Sequence, residues 1–212
     1  MADRYSQRAF QTDQPWESSN YRFQEVCVQI NAQVYEQLSE FADLSITKKG
    51  DLYVFGRKYK NGNMRLKTRV TKNSVLNHKS GKLYTIVNIS VEVKTEDSDY
   101  VHATIALINH KKHEIEYFDP NGGIEVDTSS FIKDFFSTRF DNYKFKNVNT
   151  KNLQKAESFG YCQTWTYYYI YNRLFGNNAS VSILKRLRNM SSKERLEEIE
   201  HFWKMIFGKI PK

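Results

Sequence analysis

The chain has 212 residues, 40% of them hydrophobic and 15% aromatic, and its 32 Lys and Arg against 24 Asp and Glu give a formal net charge of +8. This length is enough for one globular domain that buries a sizeable core without disulfides or metals. No apolar run approaches the roughly 18 residues of a membrane span, and the polar first twenty residues contain no signal-like segment. We therefore expect no membrane partner and an intracellular location in a reducing compartment.

The predicted elements of the first half begin after a flexible lead-in, residues 1–20. Apolar residues at helical spacing predict a helix in the stretch 21–44, with Cys27 on its apolar stripe as a small core residue. Two strands joined by a hairpin turn follow, since Asn61-Gly62-Asn63 is a turn signal. A strong β-pattern covers residues 83–93, and a loop covers 96–100.

The second half is predicted to start with two more strands and to end in helices. The strands cover residues 101–108 and 113–118 and are joined by a turn, and the segment DPNGG ends the second strand. The elements that follow are a helix over 129–140, a short strand over 142–149, and helices over 162–175, 182–188 and 191–207. This order predicts an α+β fold in which a central, mostly antiparallel or mixed sheet is flanked by helices. We expect residues 21–212 to form a single domain, with the C-terminal helices over 180–207.

The metal-binding and charge patterns of the chain are weak. The two cysteines, Cys27 and Cys162, give neither a disulfide framework nor a zinc spacing, and no carboxylate or cysteine cluster completes a set with His110 and His113. We expect no metal and no other cofactor. The basic balance favours acidic partners, including nucleic acid bound through a basic surface, although solubility alone also explains it.

One predicted hairpin brings a histidine close to an acid. If residues 109–112 form the turn, Ile108 pairs with His113, and His102 then lies directly opposite Asp119 on the same face. An imidazole held by a carboxylate is suited to act as a base. A slip of one residue in the register would put the two on opposite faces, and a purely structural His–Asp contact is the alternative interpretation.

The stretch SFGYCQTW places Cys162 in the first turn of a predicted helix. Free backbone N–H groups and the helix dipole favour a thiolate there, and the same N–H groups can hold an oxyanion. Gln154 can supply a further donor if its loop folds back. The alternatives are a buried core thiol at Cys162, a surface amide at Gln154, and core packing for the aromatic run that contains Trp165.

The joint order of these residues resembles the cysteine proteases of the adenovirus-protease and SUMO-protease clan, clan CE. YFDPNG is similar to the acid motif, and GYCQTWTYYYIYNRL is similar to the nucleophile helix of the Ulp-like proteases encoded by large DNA viruses. The resemblance covers about residues 84–175. SUMO proteases usually have Trp after the His and Gly after the Cys, where this chain has Ala103 and Gln163, and these departures favour the viral branch.

The resemblance implies a papain-like core with a circularly permuted His-Asp-Gln-Cys order. Cys162 would be the nucleophile, His102 the base, Asp119 the orienting acid and Gln154 the oxyanion donor, together with the Cys162 N–H. The implied protein substrates are viral precursors, cleaved in virion maturation, or ubiquitin-like modifiers, cut after small residues such as Gly. Trp165 would line a narrow substrate channel. A viral protein of this kind would work in the host cytoplasm or the virion.

Three other functions stay open at this point. The chain could be an inactive relative that only binds a ubiquitin-like protein or a virion scaffold. It could also be an acyltransferase, since some members of the clan acetylate proteins with the same Cys and His. The third is a basic nucleic-acid-binding protein. The presence of all four residue types favours the peptidase.

Overall fold

The computed structural model describes residues 42–44, 52–58, 64–69, 82–94, 99–123, 129–154 and 161–207. These residues contain seven strands: β1 Ala42–Leu44, β2 Leu52–Lys58, β3 Met64–Arg69, β4 Tyr84–Lys94, β5 Asp99–Asn109, β6 Glu114–Phe118 and β7 Lys144–Asn147. They also contain four helices: α1 Ser129–Ser137, α2 Cys162–Leu174, α3 Ser180–Asn189 and α4 Ser192–Phe207. The predicted lead-in and residues 21–41 of the predicted helix lie outside the described residues. The last three residues of that predicted helix are wrong, because Ala42–Leu44 form strand β1, which pairs with β4.

The described strands form one mixed sheet in the order β3-β2-β4-β5-β6-β7, with β1 also paired to β4. The pairs β2–β3, β4–β5 and β5–β6 are antiparallel, while β1–β4, β2–β4 and β6–β7 are parallel. The fold is therefore α+β with a mixed sheet flanked by helices, as the order of the predicted elements indicates.

Helices cover both faces of the central strands. Ile105 and Leu107 of β5 pack in one apolar cluster with α2, α3 and α4, whereas Ala106 and Ile108 pack in a second cluster with α1. Successive residues of a strand face opposite sides of a sheet, so β5 has a buried side chain at every one of these positions. This double burial is why residues 105–108 of β5 are all apolar and do not alternate with polar residues.

Several predicted boundaries move by a few residues. β5 begins at Asp99, because Asp99 and Tyr100 extend the ladder opposite Lys94 and Val93, so the predicted loop over 96–100 is too long. The two strands of the first hairpin are confirmed, with Lys58 opposite Met64, while its turn lies outside the described residues. No helix in the described part of the chain is both long enough and apolar enough to cross a membrane.

Local signals account for two helix boundaries. α2 ends at Leu174, where Asn177 takes a positive φ of 49° and Asn178 N–H returns to the carbonyl of Asn172 at 3.0 Å. α4 begins after a reciprocal cap: Ser191 Oγ accepts the Glu194 N–H at 3.3 Å, and a Glu194 carboxylate oxygen accepts the Ser191 N–H at 2.6 Å. The predicted helix ends in these two regions are therefore correct to within a residue or two.

Candidate active site

Asp119 lies at the first position of a tight turn that follows β6. Its carbonyl accepts the Gly122 N–H at 3.0 Å, and Gly122 and Gly123 take positive φ values of 65° and 78°. Its carboxylate accepts the N–H of Asn121 at 2.8 Å and of Gly123 at 3.1 Å. The sequence DPNGG suits this turn, because Pro favours its second position and only glycine adopts positive φ without strain. We call residues 119–123 the acid turn.

His102 contacts Asp119, although the hairpin register differs from the prediction. The Nε2 atom of His102 lies 2.7 Å from Oδ1 of Asp119. In the structure Ile108 pairs with Ile115, not with His113 as predicted, so the register prediction is wrong by two residues. A shift of two preserves the face of every side chain, and Asp119 becomes a diagonal neighbour of His102 that its carboxylate still reaches.

The register moves because Asn109 stays in the ladder, opposite Glu114. The side-chain oxygen of Asn109 accepts the Lys112 N–H at 2.9 Å, and His113 closes the turn with a positive φ of 51°. The turn therefore consists of residues 110–113 and not 109–112. An asparagine side chain that mimics a turn hydrogen bond is a common local device, but the strand pattern alone does not reveal it.

Cys162 opens α2 beside the place where β6 stops. β6 pairs with β5 only as far as Phe118 opposite Ile105, so it leaves the earlier residues of β5 without a partner from that strand. There the Cys162 sulfur is hydrogen-bonded by the His102 ring and by the backbone N–H groups of Ala103 and Gln163. Burial raises the pKa of the Cys162 thiol, but the charge and hydrogen bond of His102 and these two amides lower it on balance.

The imidazole of His102 connects the sulfur to the carboxylate. Burial alone would lower the pKa of His102, but hydrogen bonds and charge from Asp119 and Cys162 raise it to about 10. Because Asp119 holds Nε2, Nδ1 is the ring nitrogen left to share a proton with the sulfur. The lowered thiol pKa and the raised imidazole pKa both favour a thiolate beside an imidazolium over the neutral pair.

The segment that carries Gln154 packs against the acid turn. The Leu153 N–H donates to the Pro120 carbonyl at 2.9 Å, and the Gln154 N–H donates to Oδ1 of Asn152 at 2.8 Å. Gln154 is buried, so it is not the surface amide of the alternative interpretation. Residues 155–160, which connect it to Cys162, lie outside the described residues, and its role as oxyanion donor stays a prediction.

The aromatic run of α2 belongs to the core. Trp165 is 1% exposed and meets Tyr168 edge-on with ring centroids 5.8 Å apart, while Tyr169 stacks on Phe118 at 4.4 Å. Core packing therefore accounts for this run. Trp165 as placed offers almost no surface to a substrate, and its predicted contact with substrate stays a prediction.

Two groups on the elements that carry the site residues or pack against them escaped the reasoning from sequence. Asn149 donates to the Asp119 carbonyl at 2.6 Å, and Glu116 binds Arg173 of α2 through two bonds of 2.8 Å. Their partners are 30 and 57 residues away in the chain, and no local pattern marks such pairs. Within the described residues, no group of three or more His, Cys, Asp or Glu side chains is arranged to hold a metal ion.

No protein-family model and no curated protein matches the sequence. Among solved structures, the chain is similar to the Chlamydia trachomatis effector protein Cdu1 bound to ubiquitin, with a TM-score of 0.47 and 13% identity over 63% of this chain and 66% of Cdu1. It is also similar to the Chlamydia abortus effector protein ChlaDUB, with a TM-score of 0.40 and 13% identity over 65% and 63%. The chain thus spans just under two thirds of each.

Proposed function

We propose that the protein is a cysteine peptidase. The observation that carries the proposal is the unbroken chain of contacts from the Cys162 sulfur through the His102 ring to the Asp119 carboxylate. A buried histidine–carboxylate pair alone is common in protein cores. A helix-opening cysteine that shares its proton with that histidine, and that receives two backbone N–H groups, is the arrangement of an activated nucleophile.

In the proposed reaction, the Cys162 thiolate attacks the carbonyl carbon of the scissile peptide bond and forms a tetrahedral intermediate. The imidazolium of His102 then donates its proton to the amide nitrogen, so the amine leaves and a thioester remains on Cys162. Water, with its proton taken by His102, then attacks the thioester carbon, and the C–S bond breaks, so the acyl group leaves as a carboxylic acid and the Cys162 thiolate and His102 imidazolium are restored. Asp119 fixes the ring orientation and stabilises the imidazolium, while the Gln154 side chain and the Cys162 N–H hold the oxyanion.

For the substrate, we propose a protein with a small residue, often Gly, at the cleavage site, as the clan CE resemblance implies. Viral precursors and ubiquitin-like modifiers are the two classes that fit, and a viral source with action in the host cytoplasm or the virion is part of the same proposal. Ubiquitin is a practical first probe, because its Gly-Gly tail carries the small residues that the resemblance implies.

Two experiments test this function. A proteome-derived peptide library is incubated with the wild type and with Cys162→Ala, and the new termini are read by mass spectrometry. Ubiquitin with a C-terminal electrophile is offered in parallel, and the intact mass shows whether Cys162 is modified. We expect cleavage after Gly, lost in Cys162→Ala and in His102→Ala. No cleavage by the wild type, together with acetylation of Cys162 by acetyl-CoA, would instead support an acyltransferase.

A further inference from the structure

Asn149 has an amide whose hydrogen-bonding capacity is fully used beside the acid turn. The residue is 0% exposed. Its Nδ2 donates to the Asp119 carbonyl at 2.6 Å and to the Lys151 carbonyl at 2.8 Å. Its Oδ1 accepts the Lys151 N–H at 3.4 Å and Nη2 of Arg188 at 3.3 Å. Two N–H donors and two acceptor lone pairs are the whole inventory of an asparagine side chain, so every hydrogen-bonding group of Asn149 has a partner; Gln has the same groups, but on a side chain that is one methylene longer.

From these contacts we infer that Asn149 is a positioning residue for the proposed peptidase, one that holds the acid turn so that Asp119 meets His102. The inference rests on the proposed function. The hydrogen bond from Asn149 goes to the carbonyl of Asp119 itself, which is one bond from the Cα that carries the catalytic carboxylate. Apart from Asn149, the Gly122 N–H is the donor that holds this carbonyl.

Two further contacts hold residues 149–153 against the acid turn. The Leu153 N–H donates to the Pro120 carbonyl at 2.9 Å. A Cβ atom added to Gly122 would lie 2.5 Å from the Lys151 backbone nitrogen, so the two backbones touch without room for a side chain. Residues 149–153 and the acid turn therefore form one packed unit, which also leads into Gln154. One buried amide thus helps to place both the orienting acid and the proposed oxyanion donor.

Arg188 of α3 fixes which way the Asn149 amide points. A guanidinium has only N–H donors, so its contact with Oδ1 requires the amide nitrogen to face the two carbonyls. The side chain of Arg188 is exposed, whereas Asn149 is fully buried. Removing the Arg188 side chain therefore weakens the hold on the Asn149 amide without opening a cavity beside the acid turn.

Loss of the Asn149 amide leaves the Asp119 carbonyl with one fewer donor and an empty space behind the turn. The carboxylate then holds His102 less firmly, the imidazolium is less stabilised, and the Cys162 thiolate is less favoured. We expect the alkylation rate of Cys162 at pH 6 to fall about tenfold in Asn149→Ala, which is the effect of one buried hydrogen bond. The pH midpoint of alkylation moves up accordingly.

The test measures the alkylation rate of Cys162 by iodoacetamide against pH, by mass spectrometry of the full chain. The variants are Asn149→Ala, Arg188→Ala and, as a control, Ser191→Ala, which removes the cap of α4 far along the chain from the acid turn. Urea unfolding of each variant reports its loss of stability. A merely structural role for Asn149 lowers stability but leaves the midpoint of the folded protein unchanged.

We expect Asn149→Ala to move the midpoint upward, Arg188→Ala to move it less in the same direction, and Ser191→Ala to leave it in place. If Cys162 of the wild type has a low alkylation midpoint, and the midpoint is the same in Asn149→Ala and in Arg188→Ala, then the positioning role of Asn149 is overturned while the proposed function stands. If Asn149→Ala does not fold, Arg188→Ala decides by the same criterion. A wild type whose Cys162 titrates like an ordinary thiol overturns the proposed function and this inference together.

Discussion

Replacement of Glu116 by Gln perturbs the ion pair that joins α2 to β6. The Glu116 carboxylate on β6 receives Nε and Nη2 of Arg173, each at 2.8 Å. The hydroxyls of Tyr169 and Ser180 both lie 2.8 Å from its Oε2. The Glu116 and Arg173 side chains are only 12% and 13% exposed. The pair therefore joins β6, α2 and α3 in a largely buried place.

The expected cost follows from this burial. Glu116→Gln keeps the shape of the side chain but leaves the Arg173 charge without a counter-charge. Removing one partner of a buried ion pair costs about 3–5 kcal/mol. Because Gln retains one acceptor oxygen, we expect the lower end, about 3 kcal/mol. With a urea m-value of about 2 kcal/mol per M, the unfolding midpoint falls by about 1.5 M.

Urea unfolding followed by tryptophan fluorescence, at pH 7 and at lower pH, checks this value. Burial raises the pKa of Glu116, but the hydrogen bonds and charge of Arg173, with those of Tyr169 and Ser180, lower it below 4.5 on balance. A carboxyl group with a depressed folded pKa stabilises the fold above its unfolded pKa, and this stabilisation is lost as the pH falls through the folded pKa. The difference in the free energy of unfolding between the wild type and Glu116→Gln should therefore become smaller as the pH is lowered. A loss below about 0.5 kcal/mol at pH 7, typical of a surface pair, would refute the reasoning.

Three further predictions concern the site. Gly122→Ala should lower the free energy of unfolding in urea more than Gly123→Ala does. Both glycines have positive φ, but a Cβ at Gly122 would lie 2.5 Å from the Lys151 backbone nitrogen, whereas a Cβ at Gly123 meets nothing within 4 Å. Equal losses of unfolding free energy would show that the contact with Lys151 is unimportant. Peptidase activity on any substrate found should fall as the pH rises through about 10, because the His102 imidazolium loses its proton there. Activity that is undiminished at pH 11 would contradict the role of His102 as the proton donor to the leaving amine. Asp119→Asn should lower this upper limit by about 1–3 pH units, because it removes the neighbouring negative charge, and an unchanged limit would exclude Asp119 as the orienting group.

Among the described residues, the sequence predicted the order of the elements from β2 onward and the contact of His102 with Asp119, but it missed strand β1. The contact of His102 with Asp119 was predicted correctly although the register was wrong. An error of two residues in the register leaves every side chain on the same face of the sheet, so the two residues still meet. An error of one would have separated them. The turn chemistry of Asn109 is what shifted the register, and a side-chain hydrogen bond of this kind depends on a conformation that the strand pattern does not encode.

Long-range contacts were beyond reach of the sequence. The donors to the Cys162 sulfur include the backbone N–H of Ala103, and a backbone group carries no sequence signal at all. Asn149 stands in the polar stretch NVNTKN, which is typical of a surface loop, yet the residue is fully buried. Its burial results from the packing of residues 149–153 on the acid turn, and such packing emerges only when the two segments meet in the fold.

The central claim is that Cys162 and His102 form a thiolate–imidazolium pair. The most direct test is the alkylation rate of Cys162 against pH in the wild type and in His102→Ala, with Cys27 as the internal reference. We expect the wild-type midpoint to lie well below the value of a free thiol, which is ~8.5, and to return to about that value in His102→Ala. A wild-type midpoint near ~8.5, or one that His102→Ala leaves unchanged, would contradict it.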